Sequence, residues 1–332
     1  KNTPHDFYPT FPDNPLMGHV GSHPQITEYD VNGQFFGWGV QPSAMLSDIK
    51  RRLRYGKEHQ VTGFLARTDW EGVQDWTCFD NLNMVNLYAI AAYAENENTS
   101  EEEIYLRWLQ GEHMLDERLS PGQLKTCVQT VKEIMDETWP IVEKTNFVNG
   151  CLFSNDSCMH LTPEQFTFIG GTHHSLSEWD PEKKDALEMS VENIARIIED
   201  KEEAHVKCEK LVDRVVAGNM GLTEDAYEKM KEHFEFMRWY VRGFRLTARG
   251  YCFGRYVTEK NAADMLVEGK TANVLLEETI HEMEKYREGL LQTTFIKKYP
   301  FDAQLNPERV AFYTNSLKRM LAQGKKVEIV ED

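Results

Sequence analysis

Residues 26 to 69 change periodicity twice, and that pattern restricts the folds open to the chain. Ile26-Thr27-Glu28-Tyr29-Asp30-Val31 repeats with period two, so Ile26, Glu28 and Asp30 share one strand face and Thr27, Tyr29 and Val31 the other. From Ser43 to about Gln60, the positions of Met45, Leu46, Ile49 and Leu53 give the apolar stripe of an amphipathic helix. Val61 to Asp69 reads as a second strand with a polar end. Strand, helix, strand in this order is a βαβ unit, which makes the two strands parallel. Parallel strands need cover on both faces. With one more strand around Asp6 the chain offers three at most, too few for an independent parallel sheet. Further polypeptide, on the same gene or another chain, is needed to complete it.

Beyond about residue 80 the pattern is helical. Helices are expected at about 81–94, 100–109, 121–144, 182–217, 223–248, 271–293 and 306–323. Ser100 with Glu103, Ser120-Pro121, Thr162-Pro163-Glu164 and Asn306-Pro307-Glu308 supply starting caps. Leu124, Val128, Val131 and Met135, and again Ile194, Ile197 and Ile198, recur at helical spacing. The run Phe234-Glu235-Phe236-Met237-Arg238-Trp239-Tyr240 reads as bundle core or an oligomer contact. The expected architecture is α/β followed by all-α, divided as 1–80 and 81–332.

Composition narrows the partners. The 332 residues carry a net charge of −17, which disfavours nucleic acid and anionic membrane surfaces, since both need a basic stripe. No apolar run approaches the roughly 18 residues of a membrane span. Lys1 is not a natural start, so a processed form or a piece of a longer protein is expected. The cysteines at 78, 127, 151, 158, 208 and 252 form no CxxC pair, and no HExxH occurs, so neither a metal nor a cofactor is expected. Cys151 and Cys158 are close enough for a local disulfide in an oxidising compartment; buried free thiols are the alternative.

Acidic residues gather at the expected strand ends. Asp6 precedes Phe7-Tyr8-Pro9, Glu28 and Asp30 share a face, and Arg67 and Asp69 end the next strand. In parallel barrels, function collects at the carboxyl ends of strands. Trp38, Trp70 and Trp76 lie nearby in sequence, and carbohydrate sites combine carboxylates with aromatic platforms. Each feature alone also fits a turn residue or a solvated edge.

A resemblance joins these pieces. Asp6-Phe7-x-Pro9, Asn14-Pro15-Leu16-Met17-Gly18, Ile26-Thr27-Glu28-Tyr29 and Gly37 resemble the DFQPREP, HPLFG, MEFQI and EYLG segments of family-67 glycoside hydrolases, the α-glucuronidases. Asn83-Met84-Val85-Asn86-Leu87-Tyr88 is similar to the family's QANLY helix, and Thr99 to Leu109 to its LSAEEIAREWL stretch. The likeness covers about residues 3 to 110. Thr10 and Phe11 depart from the family's arginine and glutamate, and Asp30 from its glutamine.

The resemblance implies the last strands of a (β/α)₈ TIM barrel followed by a helical carboxyl-terminal domain that mediates a homodimer. It implies inverting hydrolysis of polysaccharide-derived oligosaccharides, with Asp6 and Glu28 as the two acids that activate water. The proton-donating glutamate lies on an earlier strand, in the missing amino-terminal barrel portion. Asp30, Trp38, Arg67, Asp69, Trp70 and Asn83 are the expected substrate contacts, and Arg67 suits a sugar carboxylate or, equally, an ion pair with Asp69 or Asp30. A bacterial periplasm or cytoplasm is the expected compartment. A barrel glycosidase for another sugar, galactosidase-like or agarase-like, and a non-catalytic helical scaffold with a vestigial barrel edge stay open. If the enzyme reading holds, the 332-residue chain by itself releases no chromophore from aryl glycosides; measurable turnover by it refutes the missing-acid argument.

Overall fold

The computed structural model describes residues 16–31, 40–70, 73–148, 151–152, 163, 190–260, 267–298 and 305–328. They are mostly helical, and two compact units form, Lys1–Glu143 with Lys207–Arg238 and Lys144–Val206 with Trp239–Asp332. Among the described residues no helix is long and apolar enough to cross a membrane.

The first unit begins with the expected βαβ element: β1 (Ile26–Asp30), α1 (Leu46–Glu58) and β2 (Gly63–Arg67). The strands are parallel, with Ile26 opposite Gly63, Glu28 opposite Leu65 and Asp30 opposite Arg67. Val31 N–H adds a further rung to Arg67 O at 3.1 Å. Burial follows the period-two pattern: Thr27 is 4% exposed, whereas Ile26 and Leu65 are each 61% exposed. Helix α1 buries Leu46 and Ile49, as its stripe requires.

The second strand is shorter than expected. It stops at Arg67, and Asp69 and Trp70 begin a separate antiparallel hairpin, β3 (Asp69–Trp70) with β4 (Val73–Thr77). Cys78 N–H donates to Thr68 O at 2.7 Å and closes the base of this hairpin. Arg67 and Asp69 therefore do not share one strand.

Helices α2 (Met84–Glu95), α3 (Glu101–Gly111) and α4 (Pro121–Asp136) follow. Ser100 accepts Glu103 N–H at 3.2 Å, and Ser120 with Gln123 forms a full capping box, both as the sequence signals. The helix expected over 121–144 is two helices, α4 and α5 (Thr138–Asn146), parted at Glu137. Pro140 explains the break: it has no N–H for the carbonyl of Asp136, and its ring crowds that oxygen. In the first turn of a new helix the same proline is tolerated.

The short strands β5 (Phe147–Val148) and β6 (Cys151–Leu152) pair antiparallel. Helices α6 (Val191–Val216) and α7 (Glu224–Glu259) come next, then α8 (Ala272–Leu290), one turn α9 (Phe295–Lys298) and α10 (Pro307–Glu328). Asn306 Oδ1 accepts Glu308 N–H at 3.0 Å and caps α10. The aromatic run on α7 is core: Phe234, Phe236, Met237 and Tyr240 are fully buried. Cys78, Cys127, Cys208 and Cys252 are buried free thiols, while Cys158 of the expected Cys151–Cys158 bridge and the Thr162 cap lie outside the described residues.

Helix α7 runs past the expected end at 248 because its glycines let α10 approach. A Cβ on Gly250 would stand 2.6 Å from Leu317 Cδ1 and 3.2 Å from Tyr313 Cε1. The Tyr313 hydroxyl donates to Thr247 O at 3.1 Å across the same contact. In the same unit Arg245 bridges Glu202 at 2.6 Å and Glu282 at 2.8 Å, and the buried Arg249 joins it on Glu202 at 3.1 Å.

Lys201 of α6 is fully buried, and its Nζ donates to Phe147 O and, at 2.6 Å, to Lys144 O, closing the carboxyl end of α5. Burial pushes this amine down from 10.5 to about 7.

Two outcomes follow from this packing. Gly250→Ala destabilises the protein by about 1–3 kcal/mol in denaturant unfolding, from overpacking against Leu317 and Tyr313. Between pH 7 and 10.5 the unfolded chain keeps a proton on Lys201 that the folded chain lacks, so stability rises with pH in that window. Its gain from pH 7 to 9, by about 1.4 kcal/mol per unit, disappears in Lys201→Met, whose slope over that range is the measurement.

Candidate functional site

The site expected from sequence centres on the carboxyl end of β1 and β2. Glu28 is half-buried in β1, on the strand parity of the exposed Ile26 and beside the exposed Leu65. On the opposite parity Thr27 and Val31 are buried. Glu28 therefore stands on the open side of the sheet, the side that would be the interior of a closed barrel. Arg67, half-buried, is two residues beyond Leu65 on the same parity and opposite the Asp30 position. Glu28 and Arg67 thus lie on one sheet face, with Arg67 two residues nearer the carboxyl end. Asp69 and Trp70 belong to the hairpin that follows. Asp6 and Trp38 lie outside the described residues.

Asn83 is different in kind. It is fully buried just before α2, and main chain occupies both ends of its amide. Its Oδ1 accepts Ser43 N–H at 2.8 Å, and its Nδ2 donates to Gln41 O at 3.1 Å. Asn81 supports it from behind, with Oδ1 accepting Asn83 N–H at 2.8 Å and Nδ2 donating to Thr77 O at 2.9 Å.

Asn83 is one member of a larger arrangement that periodicity did not reveal. Residues 40–45, which lead into α1, are buried outside helix and strand, and only Met45 O, at the start of α1, takes a helical bond, from Ile49 N–H at 2.9 Å among the described residues. A buried main chain must find partners for each N–H and C=O. Side chains provide them. Asn86 Oδ1 accepts Met45 N–H at 2.8 Å, while its Nδ2 donates to Ser43 O at 2.8 Å and to Val31 O at 3.1 Å. Thr138 Oγ1 accepts Ala44 N–H at 2.9 Å and donates to Met135 O at 2.6 Å. His233 Nδ1 meets Val40 O at 3.2 Å, as donor, because a carbonyl only accepts. The spacing Asn81-x-Asn83-x-x-Asn86 at the start of an apolar helix was the available signal.

Gln41 is the exception within this segment. It is fully buried, and among the described residues neither its Nε2 nor its Oε1 has a hydrogen-bond partner.

At the opposite, amino end of the sheet a cavity of about 480 Å³ opens between α1 and the end of α2, with Thr27, Lys50, Arg54, Lys57, Tyr93 and Glu97 in its wall. Its basic residues come from α1, and Lys57 lies in that helix's last turn, where it complements the helix dipole. Lys57 pairs with Glu97 at 3.5 Å, and Lys50 lies over the Tyr93 ring at 5.2 Å. None of the expected catalytic or substrate-binding residues lines it. Among the described residues no three His, Cys, Asp or Glu side chains are grouped to hold a metal. The chemistry available at the strand ends is that of a carboxylate and a guanidinium on one face: proton acceptance and binding of an anionic group.

Burying an unpartnered amide costs about 1–3 kcal/mol. Gln41→Met, which keeps the length and removes the amide, therefore raises the thermal midpoint; a lowered midpoint would mean that the amide is satisfied in solution. Compared with known proteins, the chain matches no protein-family model, and no curated protein matches it.

Proposed function

We propose that the chain is part of an inverting glycoside hydrolase of α-glucuronidase type, acting on polysaccharide-derived oligosaccharides. It supplies the general-base side of a (β/α)₈ barrel site. The observation that carries this reading is Glu28 on the open face of a parallel strand pair, with Arg67 further along the same face. The buried Thr27 on one face and the exposed Ile26 and Leu65 on the other support a sheet that continues into further βα units, on the same gene or another chain.

In this reading Glu28, with Asp6 as its partner, accepts a proton from water as the water oxygen bonds to the anomeric carbon. The glycosidic C–O bond breaks, and the leaving oxygen takes its proton from an acid on an earlier strand. Attack opposite the leaving group inverts the centre. Half-burial suits the base, which must stay ionised to accept the proton. Arg67 binds the carboxylate of an acidic sugar, and Asp30, Trp38, Asp69 and Trp70 are the further substrate contacts of this reading. The helical region mediates a homodimer. A non-catalytic helical scaffold is the second reading, favoured by the large share of the buried core that helices hold.

In the complete protein, Glu28→Gln lowers kcat on aryl glycosides about a hundred- to ten-thousand-fold with an unchanged thermal midpoint. Turnover close to wild type would remove Glu28 from the mechanism.

A further inference from the structure

We infer that Asn86 is a positioning residue for Glu28, acting through the main chain at the carboxyl end of β1, and that Thr138 supports it. This rests on the glycosidase reading of the Glu28 face. The argument starts from what one side chain holds. Asn86 is fully buried in the first turn of α2, and its amide makes three hydrogen bonds to main chain. Two are donated, to Val31 O at 3.1 Å and to Ser43 O at 2.8 Å, and one is accepted, from Met45 N–H at 2.8 Å.

Those three groups are not equivalent. Val31 directly follows β1 and makes the last rung to Arg67 O. Ser43 and Met45 belong to the segment that enters α1. One amide thus joins the strand end carrying Glu28, the rung shared with the Arg67 strand, and the entry to the connecting helix. Asn83 and Thr138 fix the same segment at Ser43, Gln41 and Ala44. A base in water activation loses about a hundredfold in rate when displaced by an ångström. Rigid support behind the reacting group is what prevents this.

The chemistry selects the test. Asn86→Asp keeps shape and the acceptor for Met45 N–H. When ionised it has no donor, and it sets negative charge against the Val31 and Ser43 carbonyls. Thr138→Val keeps shape and removes the hydroxyl; Thr138→Ser keeps the hydroxyl. In the full-length protein, with each variant's folding checked by its thermal midpoint, kcat and KM on an aryl glycoside would be measured across pH, with hydrogen exchange at the Ser43, Ala44 and Met45 amides.

The expected result for Asn86→Asp is a kcat about a hundredfold lower, a KM within threefold of wild type, and partial recovery of kcat as acid protonates the new carboxyl. Exchange at the three amides is faster. Thr138→Val shows a smaller loss in kcat that Thr138→Ser restores. Wild-type kcat in a folded Asn86→Asp protein, or a change confined to KM or to the midpoint, overturns the inference while leaving the glycosidase reading in place. A full-length wild-type protein that hydrolyses no glycoside, yet protects the three amides, overturns the glycosidase reading and the positioning role with it.

Discussion

A main chain without helix or strand bonding cannot be buried unless other groups meet its N–H and C=O atoms, and residues 40–45 are buried. The first unit is arranged around that requirement. Asparagine is the side chain suited to it, because one amide both donates and accepts and so replaces a length of missing ladder. Asn83 and Asn86 use this capacity on both sides, and the threonine at 138 does the same with a single oxygen. The parallel strand pair, the entry to α1 and the start of α2 are held in register by hydrogen bonds to side chains rather than by sheet bonds alone.

Much of the fold was readable because local spacing encodes it. The alternation at Ile26–Val31 and the stripe at Met45–Leu53 fix two elements, and their order dictates parallel pairing, which the structure has. Helix starts were equally legible at Ser100, Ser120 and Asn306, where a short polar side chain meets the first free N–H groups. Helix ends were less so. Pro140 divides α4 from α5, although the apolar stripe continues across it. The helix expected to end at 248 continues through Gly250 and Gly254, which are packing positions against Leu317 and Met320.

The site was legible in part. That Glu28 shares a face with the Asp30 and Arg67 positions follows from alternation and parallel register. The engagement of Asn83 was not accessible, because its partners are 40 and 42 residues away in sequence, and those of Asn86 as far as 55. No local period records such a contact. Nor does sequence separate Asp69 from Arg67: both fit one strand by alternation, and the pairing of Asp69 with Thr77 in the hairpin parts them.

The reach of the Asn86 amide also bears on the order in which the protein assembles. Its bond to Val31 closes a loop of 55 residues, so the entropy of closure is lost before the bond can form. Helices α1 and α2 are local structures that form without it, and the strand pair is nearer in sequence. The asparagine ties then belong to the late side of the folding barrier, where they slow the escape of the native state more than they hasten its formation. A strand end held this way is kinetically durable: it opens with the rest of the unit, not ahead of it.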